Sequence, residues 1–182
     1  GNAWQRAWQV ASWAEDRAEL VLDHDPSDRP REWPFRYEAR QSFTLVPDAL
    51  AIATEIVNRD VRPMPLSFGH HPYFPISPEA RIAVPVTHFW DSDAAMLPSA
   101  RVPVPETLDL AAGRALRELT LDTCFAGWRR SAKLAWPDLN LTLETEADAA
   151  FDHFVVYTPP ERTYFCAEPQ SAAPDAVNLA AR

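Results

Sequence analysis

Eighteen prolines spread through 182 residues, against only four glycines, restrict this chain more than any other feature of its sequence. Proline inside a helix removes a backbone donor and crowds the preceding turn, at about 3 kcal/mol per residue. Long helices are therefore excluded from most of the chain, and strands joined by turns are expected instead. Residues 8–14 (WQVASWA) and 18–22 (AELVL) predict a hairpin across Glu15-Asp16. Residues 35–46 alternate large apolar with polar side chains, a phase shift near Gln41 predicts a bulge or a twist, and Pro47-Asp48 turns the chain into residues 49–58. Residues 81–86 predict a short strand that Pro85 marks as an edge, and residues 90–114 read as an irregular surface excursion. A further hairpin spans 131–136 and 139–146; residues 154–158 and 164–167 supply the last two strands, the second ending before Glu168. This is the pattern of an antiparallel β-sandwich, an all-β fold in a single domain over residues 1–182.

The formal charge of −9, with one lysine in the whole chain, lacks the clustered basic residues that a nucleic-acid surface requires. Arg29, Arg31, Arg36 and Arg40 are interleaved with acids and prolines, as on a solvated loop and strand edge. No apolar run reaches bilayer length and no signal peptide is evident at residue 1, so no membrane partner is expected. Cys124 and Cys166 form neither a disulfide framework nor a zinc motif, which suits a reducing, cytoplasmic setting. Cys166 reads as an inert buried thiol rather than a nucleophile.

The densest chemistry lies in Ser67-Phe68-Gly69-His70-His71-Pro72-Tyr73-Phe74. An imidazole exchanges protons near neutral pH, Gly69 removes a β-carbon that would keep a ligand from the backbone, and Pro72 stiffens the segment. Tyr73 and Phe74 offer flat faces suited to a sugar ring or a nucleobase. These residues alone also fit a core histidine beside a surface one at a strand end. A partner acid is found far downstream, in Cys166-Ala167-Glu168-Pro169-Gln170-Ser171. Asp122, in a stretch that reads as buried, fits a turn cap as well as a ligand. Asp152-His153 reads as a strand-start pair, and His24 and His88 as loop residues.

Taken in order, Gly69-His70-His71-Pro72-Tyr73-Phe74, Leu121-Asp122-Thr123-Cys124-Phe125 and Cys166-Ala167-Glu168-Pro169 with Pro174-Asp175-Ala176 resemble the aldose 1-epimerases, the galactose mutarotase family. The opening Gly1-Asn2-Ala3-Trp4-Gln5-Arg6-Ala7-Trp8 is similar to that family's glycine-to-tryptophan segment. The resemblance implies a large antiparallel β-sandwich, the galactose mutarotase-like supersandwich, with sugar in an open cleft on one sheet. It places the general acid on His71, the general base on Glu168, and sugar contacts on Asp122, His70, Trp4 and Arg6. It implies no metal and no organic cofactor. The family's N-terminal His-Gly histidine has no counterpart here, and the family continues beyond the segment matching Ala176–Leu179. The chain is therefore expected to be incomplete at both ends.

The expected reaction is α/β interconversion of a free hexose or related sugar by hemiacetal ring opening. It needs a carboxylate and an imidazolium at one pH, and reference values of about 4.3 and about 6.5 put them in that order. Two other readings compete: a carbohydrate-binding sandwich without turnover, and a metal site on His70, His71 and Glu168. Adjacent histidines rarely serve one ion well, which counts against the last.

Overall fold

Strands joined by turns, rather than long helices, make up the computed structural model, which describes residues 2–29 and 31–179. The chain forms two compact units, one through Pro65 and one from Leu66 onward.

The first unit is a four-stranded antiparallel meander of β1 (Gln9–Trp13), β2 (Arg17–His24), β3 (Tyr37–Val46) and β4 (Ala49–Asn58). Both predicted hairpins are present. The bulge expected near Gln41 is not: β3 pairs without interruption from Tyr37↔Asn58 to Val46↔Ala49, and the register shift falls in β1, between Val10 and Ser12. Both strands facing β3 continue its pleat, so the change from aromatic to polar residues there is only a change of composition. The small core of Leu22, Tyr37 and Ala39 is joined by Trp8, Trp33 and Ile56. His24, expected in a loop, ends β2 fully buried, its Nε2 donating to the Trp33 carbonyl at 2.7 Å.

The second unit holds two sheets. One has the order β5-β14-β13-β10-β7-β8, built from β5 (Tyr73–Pro75), β7 (His88–Ser92), β8 (Pro98–Pro103), β10 (Asp122–Ala126), β13 (His153–Tyr157) and β14 (Tyr164–Gln170). The other has the order β12-β11-β6-β9, with β6 (Arg81–Ala83), β9 (Arg114–Ala115), β11 (Ser131–Trp136) and β12 (Leu141–Glu146). The core between them joins Ile82, Leu134 and Trp136 from the second sheet to Phe125, Phe154, Val156 and Phe165 from the first. Trp136 ties the layers together, its indole N–H donating to the Pro75 carbonyl at 2.8 Å while its ring packs on Phe165.

Three expectations are corrected here. Residues 90–114 contain β8 and most of β7, a paired hairpin of the first sheet, because Pro98 and Pro103 stand at the two ends of β8. β6 is an interior strand, paired with both β11 and β9, since it ends at Ala83 before Pro85. β14 runs on through Glu168 to Gln170.

Candidate active site

Pairing within the first sheet of this unit decides which side chains share a face. β14 pairs with β13 through Cys166↔Tyr157 and Glu168↔Val155, and β13 with β10 through Tyr157↔Asp122 and Val155↔Cys124. Side chains alternate across a strand, so Phe165, Ala167, Phe154, Val156 and Phe125 supply the core. Cys166, Glu168, Gln170, Tyr157, Asp122 and Cys124 line the other face. A polar face is thus produced by the same periodicity that makes the core.

His71 reaches that face by register. Tyr73 pairs with Cys166 in β5, and Gly69 bridges Gln170. Both pairs sum to 239, so continuing them sets His71 opposite Glu168. Pro72 has no N–H, so the ladder lapses between the two ends while the alignment persists. Phe68 and Ser171 hold the far end with two hydrogen bonds of 2.8 Å, and His70 N–H donates to the Pro169 carbonyl at 3.0 Å. The outcome is a cross-strand contact of 3.4 Å between His71 Nε2 and Glu168 Oε1.

The two members sit in different surroundings. His71 is exposed and its ring stacks on Tyr73 at 4.8 Å. Glu168 retains 5% of its surface, and Gln170 Nε2 donates to its Oε2 at 3.1 Å. Burial pushes the Glu168 carboxyl up to about 7; the Asp122 charge adds to this and the Gln170 hydrogen bond opposes it. The Glu168 carboxyl thus lies well above the ordinary carboxylate range.

Asp122 lies on the same face two strands from β14, about 10 Å at ordinary strand spacing. It is exposed rather than buried, because it is the first residue of β10. With Trp90, Cys124 and Val155 it lines a shallow cavity of about 170 Å³ that includes neither His71 nor Glu168. His70 turns its half-buried ring onto Phe151, at 5.9 Å, and burial lowers its pKa. Trp4 and Arg6 belong to the first unit: Trp4 is exposed in the short 3-10 turn Asn2–Gln5, and Arg6 donates to Glu32 at 3.2 Å. Gly1, which opens the similar segment, lies outside the described residues.

Two residues gain roles that their sequence positions did not announce. Gln170 orients Glu168. Gly69 makes room for it: a β-carbon at residue 69 would overlap the Gln170 amide, so the bare α-carbon admits a side chain of the protein rather than a ligand. Of the two aromatics, Tyr73 faces the site and Phe74 belongs to the core against Phe165.

The sequence profile of the aldose 1-epimerases matches residues 1–182. The chain belongs to the aldose 1-epimerase family, and its fold is the antiparallel, galactose mutarotase-like β-sandwich. Among individual relatives, it is 28% identical to the uncharacterized protein YphB of Escherichia coli K12, an alignment covering 96% of this chain and 61% of that protein. A solved structure of a candidate aldose 1-epimerase from Escherichia coli K12 superposes with a TM-score of 0.86 at 27% identity, over 96% of this chain and 61% of the other. A galactose mutarotase-like protein from Clostridium acetobutylicum shares the fold at a TM-score of 0.79 and 21% identity, over 91% of this chain and 56% of its own. The chain thus spans about 61% of the length of the Escherichia coli chains it matches. Among the described residues, no helix is long and apolar enough to cross a membrane.

Proposed function

We propose that this chain is an aldose 1-epimerase that interconverts the α and β anomers of a free hexose or related sugar. The observation that carries the reading is the 3.4 Å contact between His71 Nε2 and Glu168 Oε1 on the polar face of the sheet. The anomeric oxygen and the ring oxygen of a sugar share one carbon, so the base for one and the acid for the other must be neighbours.

In the forward half-reaction Glu168 takes the proton from the anomeric hydroxyl while His71 gives one to the ring oxygen. The C1–O5 bond breaks and a C1 carbonyl forms. Rotation about C1–C2 presents the other face of the aldehyde. On closure the O5 hydroxyl attacks C1, His71 takes that proton back, and Glu168 returns its own to O1. Neither group ends with a net change of charge. Gln170 holds the unused carboxylate oxygen, and Asp122 and His70 serve as sugar contacts. The same roles for Trp4 and Arg6 follow from the resemblance alone.

Polarimetry of freshly dissolved α-glucose and α-galactose tests the proposal. The wild-type chain is expected to speed equilibration, and His71→Gln and Glu168→Gln are each expected to slow it by roughly 10²-fold or more. Rates equal to buffer for every sugar tried would refute it. A sugar-dependent change in tryptophan fluorescence without faster exchange would identify a carbohydrate-binding sandwich instead.

A further inference from the structure

The face that carries His71 and Glu168 also carries Cys166, one pleat further along β14 and opposite Tyr73. One ligand atom from each of the three, an imidazole nitrogen, the thiol sulfur and a carboxylate oxygen, lies within 4.8 Å of the other two. We propose that His71, Cys166 and Glu168 form a binding site for a thiophilic divalent cation of the zinc class, and that its occupancy blocks anomer exchange.

Three considerations single out this cluster. Zinc bonds of about 2.3 Å to sulfur and about 2.0–2.1 Å to nitrogen or oxygen put tetrahedral ligands roughly 3.3–3.7 Å apart. His71 and Glu168 already stand at 3.4 Å, so only small side-chain movements close the set on the sulfur. The donor combination of thiolate, imidazole and carboxylate suits zinc or cobalt and not magnesium or calcium, which favour oxygen. Gln170 anchors Glu168 Oε2 and leaves Oε1 toward His71, the kind of outer hydrogen bond that fixes a ligand's orientation.

Of the three, His71 is exposed and the other two are buried. Cys166 is fully buried, and its thiol proton leaves to solvent when a cation takes the sulfur. Three protein ligands leave a fourth position for water or a sugar oxygen. With a cation in place, His71 cannot donate and Glu168 cannot accept a proton. The blocking effect rests on the proposed epimerase reading; the binding does not.

Titration of the full chain with Co²⁺, followed by absorption, tests the binding directly. One ion per chain is expected, with a thiolate-to-cobalt charge-transfer band. Cys166→Ser should abolish that band and weaken Zn²⁺ binding at least tenfold in competition with a chromophoric chelator, whereas Cys124→Ser should retain both. His71→Gln, at an exposed ring, should weaken binding at least tenfold without altering the fold, which guards against a Cys166 variant that fails to fold. A wild-type chain without the sulfur band, or one whose band survives in Cys166→Ser, would overturn the site. Polarimetry with Zn²⁺ and then a chelator separates the two ideas: chelator-reversible loss of exchange supports the block, and exchange that continues with the site filled overturns it. A chain that binds cobalt through sulfur yet never exchanges anomers keeps the site and refutes the epimerase.

Discussion

Glu168 sits where a carboxylate is least comfortable, on a buried strand with one amide as its fixed partner. Its folded-state pKa of about 7 lies above the usual 4.5, so the folded protein holds the proton more tightly than the unfolded chain does. The stability associated with that proton is complete below about pH 4.5 and is lost as pH rises through about 7. Glu168→Gln, which carries no charge, is expected to melt higher than wild type at pH 8, by up to ~3 kcal/mol, and to lose that advantage at pH 4.5. Melting curves at the two pH values check this. In the proposed reaction the same titration makes exchange fall as pH drops below about 7, when the base is protonated. Gly69→Ala tests the support of the pair: by displacing Gln170 it should lower kcat by roughly 10- to 100-fold while leaving KM largely unchanged. Adding Gln170→Ala to Gly69→Ala removes the overlap, so the two losses should not multiply.

Within single elements, the β1–β2, β3–β4 and β11–β12 hairpins are readable from sequence, and what lies between them is less so. The β11–β12 hairpin follows from Pro137-Asp138, and it closes through Asn140 in the left-handed region, at φ 50°. Asn140→Gly is therefore expected to be near neutral and Asn140→Val to cost ~1–2 kcal/mol, visible as a lowered Tm. The β7–β8 hairpin reads as a loop because its proline-flanked segments imitate one, although both prolines occupy strand ends that need no interior ladder bond. His71 and Glu168 could be paired by family resemblance, but the register that aligns them is interrupted by Pro72 and therefore looks like a connection. Gln170 carries no sequence signal of its own, and Gly69 reads as an opening toward a ligand, since the contact between them spans positions far apart in the chain. Asp122 reads as buried in an apolar stretch, but in that stretch Leu121 and Phe125 face the core and Asp122 faces the other way.

Across the whole molecule, apolar surface and charge act against each other. One face of the four-stranded sheet carries Trp13 and Ile52 in a single row through Ala18 and Phe43, and these two are 79% and 41% exposed. Leu45 and Leu50 continue that face, also exposed. Exposed apolar strands favour self-association, which a net charge of −9 resists by mutual repulsion. Raising ionic strength from about 0.01 M to about 0.15 M shortens the screening length from about 30 Å to about 8 Å, so association is expected to increase with salt. Light scattering across that range measures it, and Ile52→Lys should suppress the rise. The two-sidedness of β14 has a different consequence. Phe165 and Ala167 face the core, while Cys166, Glu168 and Gln170 face outward. The two sides of β14 thus answer to separate demands, packing on one and the proposed chemistry on the other, so a change of chemistry on the second side need not disturb the grammar of the first.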